Sequence, residues 1–225
     1  MKILKNIFAA LVLGVLPFQL IADDSRDISG FWTLNAELSD DADKKFKDLV
    51  KSQKKKFALR KAEEKREKSA AGGATFKRYW EHVADQAEWN KLASAVHDGT
   101  LLSLMFATRL AIAATDIGFK AWYDDGYVRD IKPNPNGRVF TASGDEIISD
   151  GIGRTLAFWR GAKLNLETRG KKRGKIFETM SVSPDRSQLT ITLEIDRKDW
   201  AKVVTLKQVF DRTGDAEKAA AAVEN

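Results

Sequence analysis

The chain has 225 residues, of which 43% are hydrophobic and 31% are charged, a composition typical of a globular protein. It contains no cysteine, which excludes disulfides, thiolate zinc sites, cysteine nucleophiles and iron–sulfur clusters. Its two histidines, His82 and His97, are too few to build a zinc site or a specific Ser-His-Asp arrangement, so we expect both on the surface and predict no metal site, no cofactor and no catalytic residue.

Residues 1–22 have the pattern of an export signal. The basic residues Lys2 and Lys5 precede an apolar stretch over residues 7–16, and Ala22 ends the segment just before Asp23. The apolar stretch is shorter than the roughly 20 residues that a membrane span needs. We therefore expect cleavage after Ala22 and a periplasmic or secreted bacterial protein; an uncleaved N-terminal anchor is the alternative.

Residues 39–99 are predicted to form a helical hairpin inserted after a first strand over residues 29–35. In its first helix Phe46, Leu49, Val50 and Phe57 fall at helical spacing, and the segment beyond Leu59 is almost entirely charged. Residues 40–70 hold twelve Lys or Arg against seven Asp or Glu, so the basic excess of the chain is concentrated here. A second helix is predicted over residues 76–96, with a broader apolar face that includes Phe76, Tyr79, Trp80 and Val83.

From about residue 108 the hydrophobic period changes to two, and turn signals recur every 8–12 residues. The run from Leu189 to Ile195 alternates most regularly between apolar and polar residues. With the first strand, about nine or ten short strands are expected, which is typical of an antiparallel barrel or sandwich. We assign residues 23–38 and 100–212 to this β-domain and residues 213–225 to a C-terminal tail.

Several short motifs stand in an order that resembles lipocalin-type barrels: Gly30-Phe31-Trp32, Asp124-Asp125-Gly126, Trp159-Arg160-Gly161, Ser183-Pro184-Asp185 and Phe210-Asp211-Arg212. The chain looks like an uncharacterised family of exported bacterial lipocalin-like β-barrel proteins. The resemblance implies a mainly β fold, an antiparallel lipocalin-like barrel of about 8–10 strands with the helical hairpin inserted after the first strand. It also implies structural roles for Gly30, Trp32 and Arg212, with the arginine covering the tryptophan ring.

Glu178 is the most unusual residue of the predicted strands. It shares a strand face with Ile176, Met180 and Val182, so the alternation places a carboxylate on the apolar side. A buried carboxylate must be paired or protonated, and it is expected either to pair with an arginine, such as Arg129 or Arg154, or to contact a ligand. The predicted ligand-binding residues are Glu178, Met180, Tyr123, Trp122 and Arg129.

Two further motifs are explained by turn chemistry. Residues 170–175 are basic and contain two glycines, but a strand follows where a phosphate-binding loop needs a helix, so we predict a hairpin tip. Asp124-Asp125-Gly126 lacks the further oxygen ligands that a cation loop requires and indicates a tight hairpin.

Three functions remain open from the sequence. The first is an exported, non-enzymatic binding protein that holds a small apolar or amphipathic ligand in its barrel. The alternative is an envelope interaction protein whose basic helix contacts anionic lipid or polysaccharide. The third is an enzyme that uses an interior carboxylate such as Glu178. Because the basic excess is confined to one segment, a nucleic-acid partner is not expected.

Overall fold

The computed structural model describes residues 26–70, 86–87, 90, 99–134, 137–138, 148–149, 151–170, 174–198 and 200–215. Two helices are α1 (Ala42–Ala70) and α2 (Gly99–Phe106). The strands are β1 (Gly30–Leu34), β2 (Arg109–Thr115), β3 (Gly118–Tyr123), β4 (Val128–Ile131), β5 (Pro133–Asn134), β6 (Ile148–Ser149), β7 (Gly153–Arg160), β8 (Lys163–Gly170), β9 (Gly174–Val182), β10 (Gln188–Arg197) and β11 (Val204–Gly214).

All the strands belong to one sheet that curls into a nearly closed mixed barrel. The sheet order is β4-β3-β2-β1-β11-β10-β9-β8-β7-β5, with β6 paired to β7. Only Lys132 separates β4 from β5, so one extended run pairs with β3 on one side and with β7 on the other. Counting that run once and leaving β6 aside, nine strands of the described ranges form the ring. An odd ring cannot alternate in direction throughout, and β5 and β7 are accordingly parallel. The predicted β-barrel with a helix after its first strand is confirmed.

Period-two alternation places one side of each strand inside the barrel. In β10 four inward residues are at most 5% exposed, and the polar residues between them face outward; the inward residues are Leu189, Ile191, Leu193 and Ile195. The inward side chains of the other strands continue this core and include Trp32, Leu110, Leu166 and Phe210.

The helix α2 closes one end of the barrel. Leu104 and Met105 are buried against the strands, and Gln208 Nε2 donates a hydrogen bond to the Met105 carbonyl at 3.2 Å. The sequence assigned residues 100–106 to the β-domain without predicting a helix there, and the structure places α2 over these residues, packed on the barrel. A short apolar run does not distinguish a strand from a buried helix by periodicity alone.

The helix α1 begins with a side-chain cap and packs on this same end. Asp41 Oδ1 accepts a hydrogen bond from the Lys44 amide at 2.9 Å, as expected of an N-cap carboxylate. Leu49 is fully buried, and the Phe46 ring meets that of Phe106 edge-on with the centroids 5.8 Å apart.

Several sequence predictions fall outside the described residues. These are the export signal over residues 1–22, most of the second helix over residues 76–96 with both histidines, and the tail from residue 216 onward. In the ranges that the structure describes, no helix combines the length and apolar character needed to cross a membrane.

Candidate functional site

A buried ion pair lies inside the barrel between β4 and β9. Arg129 Nη1 is 2.6 Å from Glu178 Oε1, and the two residues are 1% and 2% exposed. Arg129 Nη2 also donates to Thr155 Oγ1 at 3.2 Å and to Thr168 Oγ1 at 3.0 Å. The sequence left Glu178 with an arginine or a ligand as its partner, and the structure supplies Arg129. Arg154 is instead exposed on β7.

The other predicted ligand-binding residues do not meet in one place. Met180 and Tyr123 are buried inside the barrel, at 1% and 5% exposure. Trp122 lies on the outer surface, where the Lys120 ammonium approaches its ring to 5.9 Å. Because neighbouring strand residues point to opposite faces, Trp122 and Tyr123 cannot both face the interior.

Side chains fill the part of the barrel interior that the described residues form. A gap lined by Leu104, Tyr123, Glu178 and Gln208, among others, has a volume of about 10 Å³. That is about the space one water molecule requires. Trp32, Phe210 and Leu110 enter from the strands, and α2 adds Leu104 from one end. The described part of the interior therefore offers water-sized space, not a ligand-sized chamber.

A larger space opens at the end of the barrel opposite α2. This mouth cleft, as we call it, has a volume of about 400 Å³. Its walls come from the turn between β2 and β3, from β5, from the end of β7 and from the segment before β1. The lining residues are Arg26, Asp27, Ala114, Thr115, Ile117, Gly118, Phe119, Pro133 and Trp159.

Two aromatic side chains form the inner wall of the mouth cleft. Phe119 is in phase with the inward residues Ala121 and Tyr123, and Trp159 is in phase with Thr155 and Ala157. Their rings meet edge-on with the centroids 6.2 Å apart, an arrangement that aromatic pairs prefer. Both residues lie in the region where the sequence predicts strands, but neither is among the predicted ligand-binding residues. A signal in the sequence could have identified them, since each is the inward aromatic residue nearest one end of its strand.

The rim of the mouth cleft is charged. Asp27 accepts hydrogen bonds from the Ser29 amide at 2.8 Å and from Arg186 Nη2 at 2.6 Å. Burial raises the pKa of Asp27, but these bonds from Ser29 and Arg186 outweigh it and hold the pKa below its usual value. The carboxylate is thus ionised and paired with Arg186, and Arg26 also lines the cleft.

The acidic pair at the β3–β4 turn joins elements of the fold. Asp124 Oδ2 accepts hydrogen bonds from the amide and the hydroxyl of Thr108, and Asp125 accepts one from the Ser103 hydroxyl. Gly126 completes the hairpin with a φ of 86°. These contacts tie the turn to α2 and to the start of β2. Within the described ranges, no three His, Cys, Asp or Glu residues cluster as a metal site would require.

Comparison with known proteins adds little to this geometry. No family model matches the chain, and neither does any curated protein. Among solved structures, a variant of the REP1-NXSQ fatty acid transporter is similar over 83% of this chain and 98% of its own, with 16% identity and a TM-score of 0.37. At this identity and TM-score the similarity does not indicate a function for this chain.

Proposed function

We propose that this protein is an exported, non-enzymatic binding protein that holds a small apolar or amphipathic ligand in the mouth cleft. The observation that carries the proposal is the cleft itself, an open space of about 400 Å³ with aromatic and aliphatic walls. Binding sites for small molecules are typically of about 300–1,000 Å³, apolar, and found in places that include the mouths of β-barrels. The ligand-binding role agrees with the lipocalin-like resemblance, but the site moves from the lumen to the mouth.

The residues of the cleft indicate which part of a ligand each would contact. Phe119, Trp159 and Pro133 supply a wall for an apolar chain or ring. Ile117, at the tip of the β2–β3 turn, is 61% exposed, so an apolar ligand would remove its side chain from water. Arg26 on the rim suits the negatively charged end of an amphipathic ligand.

The interior ion pair supports a binding role over catalysis. Glu178 was the interior carboxylate on which an enzyme would depend. In the structure it is held by Arg129 and sits beside a gap of about 10 Å³. A substrate could not reach it without opening the barrel, so we assign Glu178 to the fold.

A fluorescent apolar anion, anilinonaphthalene sulfonate, tests the proposed site. We expect the purified protein to bind one equivalent and to release it when a medium-chain alkyl carboxylate is added. Phe119→Ala and Ile117→Ser should each weaken binding by about tenfold, since each removes apolar contact worth about 1–2 kcal/mol.

Matched variants on other surfaces provide the controls. Phe177→Ala removes a phenyl ring from the outer face of β9, and Val203→Ser removes an exposed aliphatic side chain just before β11; the two residues are 37% and 47% exposed. Binding should be unchanged in both. If the cleft and control variants lost affinity for anilinonaphthalene sulfonate equally, or if the unaltered protein did not bind it, the cleft would be refuted as the site.

Export is a separate part of the proposal with its own measurement. The charge and hydropathy pattern of residues 1–22 supports cleavage after Ala22, so N-terminal sequencing of protein from an envelope fraction should begin at Asp23 or within two residues of it. A sequence that starts at Met1 would contradict cleavage and leave the segment as an anchor.

A further inference from the structure

Six of the ten lysines of α1 lie on one side of the helix. At 3.6 residues per turn, these six fall within an arc of about 100°. We call this surface the lysine face, and all its members are exposed: Lys44, Lys47, Lys51, Lys54, Lys55 and Lys65. From Lys44 to Lys65 it extends about 32 Å along the helix. No acidic residue of α1 falls inside the arc, and Asp43 and Asp48 each stand about 20° beyond one of its edges.

The acidic residues of the second half of α1 lie outside this arc, and Glu64 among them has local partners. Glu64 contacts Lys61 at 3.0 Å and Arg60 at 3.7 Å. Arg60 and Lys61 also lie over the Phe57 ring, at 5.5 and 5.7 Å from its centroid. The carboxylate of Glu64 is thus engaged with cations outside the lysine face and does not neutralise it.

Packing fixes the direction in which the lysine face points. Leu49 and Gln53 lie on the opposite side of the helix. Leu49 is fully buried, and Gln53 is 3% exposed. Lys56 Nζ donates to the Trp200 carbonyl at 3.1 Å, which ties the middle of α1 to the segment before β11. Because the first three turns of the helix are docked in this way, the lysine face is turned away from the barrel.

We propose that the lysine face docks the protein on an anionic membrane surface. A row of about 32 Å matches a partner that is flat and continuously charged, which exposed lysines on one side of the helix can approach together. Lysine is a compact charge without the forked geometry that arginine uses for individual phosphates, and it therefore suits a diffuse layer of headgroups. No aromatic residue lies within the arc, so the face lacks the stacking platform typical of single-stranded nucleic-acid sites.

Vesicle sedimentation tests this proposal. The purified protein should bind vesicles of mixed phosphatidylglycerol and phosphatidylcholine, and not vesicles of phosphatidylcholine alone. Binding should weaken steeply between about 0.01 M and 0.15 M salt, over which the screening length falls from about 30 Å to about 8 Å.

Two variants, each with four lysines replaced and therefore with the same net charge, distinguish an effect of the lysine face from an effect of net charge. The first replaces four lysines of the face by glutamine, which keeps helix propensity: Lys44→Gln, Lys47→Gln, Lys51→Gln and Lys55→Gln. It should bind the anionic vesicles roughly 100- to 1000-fold more weakly. The control replaces four lysines exposed on the barrel: Lys163→Gln, Lys175→Gln, Lys198→Gln and Lys202→Gln. It should bind like the unaltered protein.

Each other outcome overturns the proposal. Equal losses in the two variants would mean that net charge alone drives binding. Absence of binding to anionic vesicles at low salt would refute a membrane role, and binding to dextran sulfate without vesicle binding would assign the face to an anionic polysaccharide. Circular dichroism should show unchanged helix content in the first variant. Its binding of anilinonaphthalene sulfonate should also be unchanged, so that failure of this inference is distinct from failure of the mouth cleft.

Discussion

The guanidinium carbon of Arg212 lies 4.7 Å from the centroid of the Trp32 ring, and the two residues face each other across β1 and β11. Trp32 is 1% exposed and donates its indole N–H to the Ile28 carbonyl at 3.1 Å. Arg212 donates to the carbonyls of Ser29 and Arg186, at 2.8 and 2.9 Å. The Arg212 guanidinium thus covers the Trp32 ring and also donates hydrogen bonds to two backbone carbonyls at the mouth end of the barrel.

Trp32→Ala should lower the free energy of unfolding by about 3–5 kcal/mol, because it removes the largest fully buried side chain and leaves a cavity under Arg212. Urea denaturation measures the change. Trp122→Ala is the matched control, since the Trp122 ring lies on the outer face. This substitution should lower the free energy of unfolding by less than half as much as Trp32→Ala. A loss below about 1 kcal/mol for Trp32→Ala would contradict its burial.

Gly30→Ala should be destabilising by about 1–3 kcal/mol for two reasons. Its φ of +149° lies where residues with a side chain are rare, and an added Cβ would stand 3.2 Å from Arg212 Cζ and 3.3 Å from Trp32 Cε2. Gly161→Ala isolates the backbone contribution, since Gly161 has a φ of +61° but no atom within 4 Å of an added Cβ. Thermal denaturation should show a larger decrease in melting temperature for Gly30→Ala than for Gly161→Ala. Equal losses would mean that the contact with Arg212 and Trp32 has no role.

Glu178→Leu should lower the free energy of unfolding by about 3–5 kcal/mol, because it leaves the Arg129 guanidinium buried without its counterion. The double variant Arg129→Met with Glu178→Leu should recover most of that loss, since an apolar pair of similar volume removes both desolvation costs. A double-mutant cycle in urea measures the coupling. If the two single losses simply add, the residues do not depend on each other and the ion pair is not the reason for either side chain.

Asp185 gives the clearest dependence on pH. Hydrogen bonds from the Ser183 hydroxyl, then from the hydroxyl and amide of Ser187, lower the pKa of Asp185 from 3.8 to about 2. Because the unfolded chain binds this proton more readily, the stabilisation is complete above about pH 3.8 and is lost as the pH falls toward 2.

Asp185→Asn should therefore narrow the difference in stability between pH 4 and pH 2, as measured by urea denaturation at a series of pH values. A carboxyl resonance that titrates near pH 2 in the folded protein would be the direct observation. A variant whose stability differs from that of the unaltered protein by the same amount at every pH would contradict the lowered pKa.

The sequence by itself determined the strands and one helix, because their signals are local. The alternation from Leu189 to Ile195 predicts which side chains are buried, and β10 has that pattern. The spacing of Phe46 and Leu49 predicts the docked side of α1. The position of Glu178 on an apolar strand face predicted a buried carboxylate, with an arginine or a ligand as its partner.

The tertiary structure alone decided how the barrel closes and where space remains. The parallel pairing of β5 with β7 depends on the number of strands in the ring, which no single segment encodes. Alternation predicts that Tyr123 and Met180 point inward, but not that side chains from opposite strands and from α2 meet in the middle. The filled interior and the open mouth beside Phe119 and Trp159 depend on distances between residues far apart in the chain, and these distances exist only once the sheet has curled.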